Sequence, residues 1–264
     1  MVELKTPGEI EAMHAAGVVV ADALAAVRAQ STVGTRLSAL DQLASEVIAA
    51  AGASSPFLGY QPSFADGPFP ATICTSVNDA VLHGIPGSYR LADGDLLSID
   101  CGAVLDGWAA DAAISLTVGH PQVDDQDLIH AAEAALAAGI EAARPGARVG
   151  DISAAIGRVG RAAGRGINTD FGGHGVGRSM HEAPSIPNEG RPGRGIRLRP
   201  GLVIAIEPWF FAGGDDRYRV DPDGWTLRSA DGSRGAHVEH TVAITLDGAR
   251  VLTARGESAY GAWQ

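Results

Sequence analysis

The sequence is poor in cysteine and has no recognisable sorting segment. Its 264 residues include only Cys74 and Cys101, which is too few for a disulfide framework and typical of a reducing compartment. The first residues, MVELKTPGEIEAMHAAG, carry acidic side chains early and no continuous apolar core, which argues against a signal peptide. No apolar run approaches the roughly 20 residues that a membrane span needs. We therefore expect a cytoplasmic protein without membrane contact.

Positive charge is also scarce. Lys and Arg number 20 against 31 Asp and Glu, a formal net charge of −11, so a nucleic-acid-binding surface spread over the molecule is not expected. The local exception is EGRPGRGIRLRP, which contains Arg191, Arg194, Arg197 and Arg199. We interpret it as a solvated loop, with a contact to a partner protein or a transient contact to the ribosome as the alternative. Apolar residues make up 45% and mean hydropathy is +0.07, as in a globular chain with ample core.

The chain contains an internal repeat. The segment TVGTRLSALDQLASEVIAAAG resembles RPGARVGDISAAIGRVGRAAG, and both show the apolar spacing of a surface helix that ends at an Ala-Gly pair. Downstream, LADGDLLSID and LRPGLVIAIE each place a glycine turn six residues before an acidic residue. An Ala-rich helical stretch opens each half, at roughly residues 7–29 and 123–144. We therefore predict one domain, 1–264, with duplicated helix–helix–strand halves of approximately 1–120 and 121–264.

Four acidic residues and one histidine form the most informative pattern. Asp100 and Asp111 lie in IDCGAVLDGWAAD, His174 in GGHGVG, Glu207 in AIEPW and Glu239 in HVEHT. A hard, oxygen-rich set of this kind holds two divalent cations, because carboxylates bridge metals and offset their combined charge. A structural zinc site would use thiolates instead. The sequence therefore predicts a dinuclear metal centre, and with it an enzyme.

Strand periodicity explains how the first two carboxylates meet. Alternating residues around Asp100 predict a strand with two distinct faces, and the Asp-Gly pair at 106–107 is a strong hairpin turn. That turn places Gly102 opposite Asp111, so Asp100 and Asp111 become diagonal neighbours on one face. A β-bulge would change this register, so the pairing is a prediction.

The second half is expected to repeat this arrangement. Glu207 and Glu239 would form the equivalent pair, on a longer hairpin around the Asp-Gly turn at 223–224. If the two halves face each other, all four acidic residues converge at a pseudo-twofold axis.

Three histidines accompany the acidic residues. His174 and His181 lie in FGGHGVGRSMHEAP, where glycines on both sides of His174 allow close approach of the backbone to a ligand or neighbour and unusual φ angles. The run lacks the spacing of a dinucleotide fingerprint, and HEAPS is not the HExxH of a helical zinc peptidase. His83 precedes a Gly-Ile-Pro turn that would fix its orientation. A histidine alone is more often structural, but the neighbouring motifs predict functional roles for all three.

Taken together, NDAVLHGIP, IDCGAVLDGWAAD, GGHGVGRSMHEAP, AIEPW and HVEHT resemble the motifs of type I methionine aminopeptidases. The resemblance runs from KTPGEIEAM to VEHTVAIT, which is nearly the whole chain. It implies an α/β (α+β) pita-bread fold of the creatinase/aminopeptidase type, with two pseudo-twofold-related halves around a curved antiparallel sheet. It also implies a single catalytic domain that removes the N-terminal methionine from nascent polypeptides when the second residue is small.

The resemblance implies a role for each ligand of the metal centre, which would hold two divalent ions (Co2+, Mn2+, Fe2+ or Zn2+). Asp100 would chelate one ion, Asp111 and Glu239 would bridge both, and His174 and Glu207 would complete the other. Glu207 would also handle the proton of the bridging water. The hydroxide formed there would attack the first peptide carbonyl.

The resemblance also implies how substrate is held. His181 would hydrogen-bond the substrate near the scissile carbonyl, and His83 would contact the scissile amide nitrogen or the backbone of the second residue. The expected methionine pocket consists of Tyr60, Phe69, Cys74, Met180 and Trp225.

The chain departs from the family pattern at several places, among them the RPGRG loop, the GGDDRYR stretch and three places expected near the site. Met180 stands where relatives commonly have an aromatic residue, which would make the pocket more pliable. Residues 61–69 form a longer segment than usual, which leaves the assignments of Tyr60 and Phe69 open. His237 stands where many relatives carry glutamine, and the sequence assigns it no role.

Two other interpretations stay open. A prolidase or proline-specific aminopeptidase has the same fold but usually carries an additional N-terminal domain, whereas residues 1–90 already belong to the first half of the repeat. A scaffold protein of this fold that lacks chemistry would typically have lost ligands. The sequence does not determine the physiological metal. A monomer is expected, because helices of both halves can cover one shared sheet.

Overall fold

The computed structural model describes residues 2–63 and 65–254, which form four α-helices and thirteen β-strands. The helices are α1 (Pro7–Gln30), α2 (Leu37–Ala50), α3 (Val123–Ala142) and α4 (Val149–Ala162). The strands are β1 (Ile73–Val77), β2 (Ala80–Leu82), β3 (Leu96–Leu105), β4 (Trp108–Thr117), β5 (Gly172–Gly175), β6 (Glu182–Pro187), β7 (Val203–Ile206), β8 (Trp209–Phe211), β9 (Tyr218–Val220), β10 (Leu227–Ser229), β11 (Gly235–His237), β12 (His240–Ile244) and β13 (Ala249–Val251). Within this described part, the strands pair in four sheets, ordered β1-β3-β4, β2-β10-β9, β11-β8 and β13-β12-β7-β5-β6.

The long helices begin and end close to where the sequence predicts. The Thr6 side chain accepts a hydrogen bond from the Glu9 backbone N–H, and the Glu9 carboxylate accepts one from the Thr6 backbone N–H. This reciprocal capping box satisfies two backbone donors at the start of α1. Pro7 at the first helical position has no N–H that needs a partner.

The helices of each half of the chain pack against the strands of that half. Leu24 of α1 and Leu40 of α2 belong to an apolar cluster that also contains Ile99 and Cys101 of β3. α3 and α4 pack in the same way with β7, β11 and β12 in a second apolar cluster. Because successive strand residues point to opposite faces, Asp100 faces away from the first helical layer.

The predicted β3–β4 hairpin is confirmed. Asp106 and Gly107 form its two-residue turn, and both have positive φ, 51° and 76°, as a type I′ turn requires. Gly102 lies opposite Asp111. Asp100 and Asp111 are therefore diagonal neighbours on one face, in the predicted register.

The second half brings its acidic residues together through two strand pairs. β7 pairs with β12, with Ile206 opposite His240, and Glu207 and Glu239 flank that pair. β8 pairs with β11 immediately afterwards. The Asp-Gly turn at 223–224 lies at the tip of the β9–β10 hairpin, which is inserted in the chain between β8 and β11.

The two halves are joined at the strands that carry these carboxylates. The Glu239 N–H donates to the Ala113 carbonyl oxygen at 3.1 Å, and the Ala113 N–H donates to the Glu239 carbonyl oxygen at 3.4 Å. These bonds connect the end of β11–β12 to β4. The expected curved sheet is thus divided into smaller antiparallel sheets that meet beside the acidic residues.

Matched turns occur before and after α2 and α4. The Gly34 N–H donates to the Leu91 carbonyl oxygen, and the Gly146 N–H donates to the Leu198 carbonyl oxygen. The two glycines have φ of 88° and 91°. The Ala-Gly pairs that end both helices also contain a positive-φ glycine. These contacts support the internal duplication, which stays a proposal.

The expectation that no segment has the length and hydropathy of a membrane span needs a correction at α1. Within the described residues it is the one helix with the length and composition of a membrane span, with a mean hydropathy of 1.6. Half of that apolar window is buried inside the protein. Met13, Val20 and Leu24 are fully buried, and the helix packs on β3, β4 and α2. Its apolar character is that of a core helix.

The packing of α1 can be tested with two glycines of the same helix. A Cβ added at Gly17 would lie 2.2 Å from the Leu252 carbonyl oxygen, whereas a Cβ at Gly8 would have no atom within 4 Å. Gly17→Ala should lower the free energy of unfolding by about 1–3 kcal/mol through overpacking. Gly8→Ala should raise it by up to about 1 kcal/mol, because alanine loses less backbone entropy in a helix. Denaturant unfolding measures both, and equal stability of the two variants would contradict the close contact.

Candidate metal centre

One cavity contains nearly all the residues predicted for the site. Its void, including the mouth, measures about 460 Å³. It is lined by Phe57, Tyr60, Phe69, Cys74, His83, Asp100, Asp111, His174, His181, Glu207, Trp225 and Glu239. The structure therefore gathers eleven of the twelve predicted side chains; Met180 is missing from the lining, and Phe57 was not predicted.

The strand registers aim the carboxylates into this cavity. Asp100 lies opposite Cys74 of β1 and therefore shares with it the face turned away from the helices. Asp111 joins that face through the β3–β4 register. Glu239 arrives from the other half through its reciprocal backbone hydrogen bonds with Ala113, the residue opposite Asp100.

A register shift in β5 determines the direction of the His174 side chain. Gly173 lies opposite Ile186 and Gly175 lies opposite Glu182, with a register shift between them, and bulges of this kind re-aim a side chain. A Cβ at either glycine would lie 2.3 Å from a carbonyl oxygen of a neighbouring strand. These glycines therefore permit the expected close strand approach. The expectation of unusual φ angles is not met, since neither glycine has a positive φ.

The ring of His174 presents a nitrogen to the carboxylates. Its Nδ1 lies 2.9 Å from the Gly175 carbonyl oxygen, so in the neutral ring Nδ1–H donates there and Nε2 keeps a lone pair. Nε2 lies 3.5 Å from Asp111 Oδ2 and 3.5 Å from Glu207 Oε1. Ligand atoms of Asp111, His174 and Glu239 all lie within 4.8 Å of one another. A backbone-oriented imidazole of this kind is typical of metal-ligating histidines.

Burial sets the electrostatics of the site. Burial and the Asp111 charge raise the pKa of Asp100 well above its ordinary value. Burial, with the charges of Asp111 and Asp100, raises the pKa of Glu207 in the same way. Burial raises the pKa of Asp111 to about 6 and lowers the pKa of His174 to about 4. The carboxylates repel one another in a poorly solvated space, and a cation is the partner that stabilises their ionised forms.

The residues present fit a divalent metal. Oδ1 of Asp100 is buried and has no hydrogen-bond partner among the described residues, a state that is costly for an ionised oxygen unless it is paired or coordinates a metal. Carboxylate oxygens with one imidazole nitrogen are suitable donors for first-row divalent ions.

His181 lies between the acidic residues and the apolar part of the cavity. Its ring centroid is 4.2 Å from that of His174 and 5.0 Å from that of Tyr60, with an interplanar angle of 27° to the tyrosine. Desolvation at the cavity and the neighbouring His174 lower the pKa of His181 to about 4, although part of this residue stays exposed to solvent. The imidazole is therefore neutral at physiological pH and can donate one N–H.

His83 lines the same cavity and has an unusual backbone conformation. Its φ is 56°, a left-handed value uncommon outside glycine and often found at functional sites. Its ring makes edge contacts with Phe171 and Trp225, at centroid distances of 5.3 and 6.2 Å. Nδ1 is buried and has no hydrogen-bond partner in the described part of the chain. Burial lowers its pKa to about 4, so this ring is also neutral.

The apolar part of the cavity differs from expectation in two residues. Met180 is buried just beside it, with Cε 2.4 Å from where a Cβ on Gly102 would be. Phe57 reaches the cavity from a loop without any recognisable motif, so periodicity and spacing give no signal for it. Tyr60 and Phe69 are both held at the cavity, since the Phe69 N–H donates to the Tyr60 carbonyl oxygen at 2.8 Å. The longer 61–69 segment is closed by that bond, and residue 64 lies outside the described residues.

His237, to which the sequence assigned no role, is buried beside the site. Its Nε2 lies 3.8 Å from Glu207 Oε2, which is too long for a hydrogen bond. Burial lowers its pKa to about 3. The structure therefore places a neutral imidazole next to Glu207.

Known proteins share both the sequence and the fold. The chain is 50% identical over 260 residues to methionine aminopeptidase 1 of Mycobacterium tuberculosis, which covers 96% of this chain and 95% of that protein. It superposes on the crystal structure of methionine aminopeptidase from Thermotoga maritima with a TM-score of 0.91 and 40% identity, covering 97% of this chain and 100% of that one. Prolidase from Pyrococcus furiosus shares the fold, with a TM-score of 0.74 at 24% identity over 96% of this chain and 66% of that one.

A family model gives the same result for most of the chain. Residues 11–246 match the model described as metallopeptidase family M24. The expected mixed α/β pita-bread fold with antiparallel sheets is confirmed by these structural neighbours. The chain therefore belongs to metallopeptidase family M24.

Proposed function

We propose that this protein is a metal-dependent aminopeptidase that removes the N-terminal methionine from nascent polypeptides when the second residue is small. The observation that carries the proposal is the convergence of five ligand-type side chains beside an apolar pocket in one buried cavity. The relatives named methionine aminopeptidase support the same activity over nearly the full chain.

The proposed cofactor is a pair of divalent ions, Co2+, Mn2+, Fe2+ or Zn2+. Asp100 would hold one ion, Asp111 and Glu239 would bridge both, and His174 and Glu207 would hold the other. When bound, such ions supply Lewis-acid charge that acidifies water and polarises a peptide carbonyl. Four acidic residues suit this task because their charge matches that of two divalent cations.

Proton transfer is assigned to Glu207. Its carboxylate is buried in the cavity and carries a raised pKa, which favours a group that must both take and return a proton near neutral pH. It would take the proton of the attacking water and deliver it to the leaving amine. His181, a neutral N–H donor, would stabilise charge that develops on the carbonyl oxygen.

Substrate selection is assigned to the apolar part of the cavity. Phe57, Tyr60, Phe69, Cys74 and Trp225 form a pocket suited to the flexible thioether side chain of methionine. Pocket size alone discriminates by only about 1–3 kcal/mol per methylene.

Rejection of large second residues therefore needs crowding near the scissile bond. We assign part of this crowding to His83. Its ring contacts Phe171 and Trp225 and would contact the scissile amide nitrogen.

Several wider properties are proposed with the activity. The chain would act as a single catalytic domain, as a monomer, in the cytoplasm and without binding nucleic acid broadly. A transient ribosome contact fits the basic loop, in which Arg191, Arg194, Arg197 and Arg199 are all exposed. The structure adds that this loop is fixed to the start of α4, where the Gly150 N–H donates to the Arg194 carbonyl oxygen at 2.9 Å.

A peptide panel tests the proposed activity. With Mn2+ present, Met-Ala-Ser should be hydrolysed after methionine, and Met-Leu-Ser should react roughly 10- to 200-fold more slowly in kcat/KM because the larger residue meets the crowding near His83. Chelator should abolish the reaction and added Mn2+ should restore it. Preferential cleavage of Xaa-Pro dipeptides would indicate a prolidase instead. No hydrolysis of any peptide by metal-loaded, folded protein would indicate a scaffold protein.

Glu207→Gln tests the proton-transfer assignment. The amide keeps the size of the side chain but cannot act as a base, so kcat should fall by roughly 100- to 10,000-fold. The metal content of the variant should be measured alongside, because Glu207 is also a proposed ligand. Glu189→Gln, at a partly exposed glutamate that pairs with Arg161, is the matched control and should retain wild-type kcat. Wild-type turnover by Glu207→Gln would remove this residue from the mechanism.

A further inference from the structure

Thr241 of β12 makes an unusual set of contacts with Asp111. Its hydroxyl oxygen accepts a hydrogen bond from the Asp111 backbone N–H at 3.0 Å. The same hydroxyl lies 2.8 Å from the Asp111 carbonyl oxygen and 3.0 Å from Asp111 Oδ1, to either of which it can donate. Thr241 is fully buried, so water does not compete for these bonds.

The location of this contact explains why the Asp111 N–H is bonded to a side chain and not to the backbone. Glu239 and Ala113 are joined by two backbone hydrogen bonds where β12 approaches β4. Two residues further along each strand, the same kind of pairing would involve Thr241 and Asp111. There the hydroxyl replaces the backbone as the partner of the Asp111 N–H, and so continues the connection between the two halves of the chain.

The backbone N–H and carbonyl oxygen of Thr241 form hydrogen bonds with other residues, and these bonds hold its hydroxyl in place. Its N–H donates to Thr253 Oγ1 at 3.1 Å, and its carbonyl oxygen accepts from the Leu252 N–H at 2.9 Å. A residue fixed on both sides loses little further entropy when its hydroxyl orients a neighbour.

The two carboxylate oxygens of Asp111 consequently have different surroundings. Oδ1 is within hydrogen-bond distance of the Thr241 hydroxyl, whereas Oδ2 faces Nε2 of His174 at 3.5 Å. A hydroxyl that donates to an ionised carboxylate forms a charge-assisted bond and fixes the carboxylate plane. Hydrogen bonds of this type to ligating groups are known to tune metal affinity.

We infer that Thr241 is a positioning residue for the metal centre: its hydroxyl fixes the rotamer of Asp111, so that this carboxylate from the first half is oriented towards His174, Glu207 and Glu239 of the second half. The inference rests on the proposed metal-dependent function. It concerns a residue that touches neither substrate nor, by this assignment, the ions.

The experiment measures Mn2+ binding to chelator-stripped protein by titration calorimetry, with thermal unfolding of each variant as the folding check. Thr241→Val keeps the shape of the side chain and removes the hydroxyl, so Mn2+ affinity should fall by roughly 10- to 100-fold. Thr241→Ser restores the hydroxyl and should bind within about threefold of wild type, since the donor is retained.

Thr75→Val is the matched control. Thr75 is equally buried, but its hydroxyl has no hydrogen-bond partner among the described residues. The same substitution there should leave Mn2+ affinity at the wild-type value.

The possible outcomes separate this inference from the proposed function. Wild-type affinity in folded Thr241→Val overturns the inference. A loss of affinity in Thr241→Ser equal to that in the valine variant also overturns it, because packing rather than the hydroxyl would then be the cause.

If Thr241→Val does not fold, Thr241→Cys replaces it. A thiol is a poor donor, so this variant should bind Mn2+ more weakly than Thr241→Ser, and equal binding overturns the inference. Failure of the wild-type protein itself to bind Mn2+ would instead contradict the proposed metal-dependent function.

Discussion

The structure depends on the enclosure of several carboxylates in one small, poorly solvated cavity. Asp111 and Glu239 are almost fully buried, and Asp100 and Glu207 line the same space. Burial, together with the neighbouring negative charges, raises the pKa values of Asp100 and Glu207, so the apoprotein carries a repulsion that favours protonation. Divalent cations held there, as proposed, would convert that repulsion into attraction. The proposed activity therefore follows from an arrangement that is unfavourable for the polypeptide alone.

The fold makes this arrangement possible by drawing ligands from both halves of the chain. The β3–β4 hairpin orients Asp100 and Asp111 on the face opposite the helices. The β7–β12 pair brings Glu207 and Glu239 to meet them. Because the halves join through backbone bonds at Glu239 itself, a proposed ligand also forms part of the connection between them. The stability of this connection and the geometry of the site would consequently depend on each other. Thr241 would extend that dependence to Asp111.

Local features of the site were predictable from the sequence, because short-range chemistry determines them. The Asp-Gly turn fixed the register of Asp111 against Gly102, and the glycines around His174 indicated a close strand approach. Family motifs then supplied most of the cavity lining. Contacts between distant segments were not predictable in this way. Thr241 reaches Asp111 across 130 residues, and the sequence carries no sign that its hydroxyl replaces a backbone partner.

The apolar pocket illustrates the same limit. Phe57 enters from an irregular loop, where neither periodicity nor spacing indicates the direction of a side chain. Met180 lies beside the cavity because Gly102 leaves room for its terminal methyl group, a detail of packing between the hairpin and the loop before β6. The position of a methionine in the sequence motif does not reveal which of two adjacent spaces it fills.

Counting the ions bound by the stripped protein tests the central claim most directly. Calorimetric titration with Mn2+ at neutral pH should give two equivalents per chain. Asp100→Asn should retain one tight equivalent, because Asp100 is assigned to a single ion while Asp111 and Glu239 bridge both. A folded wild-type chain that binds one ion or none, or an Asp100→Asn variant that binds as the wild type does, would contradict the account.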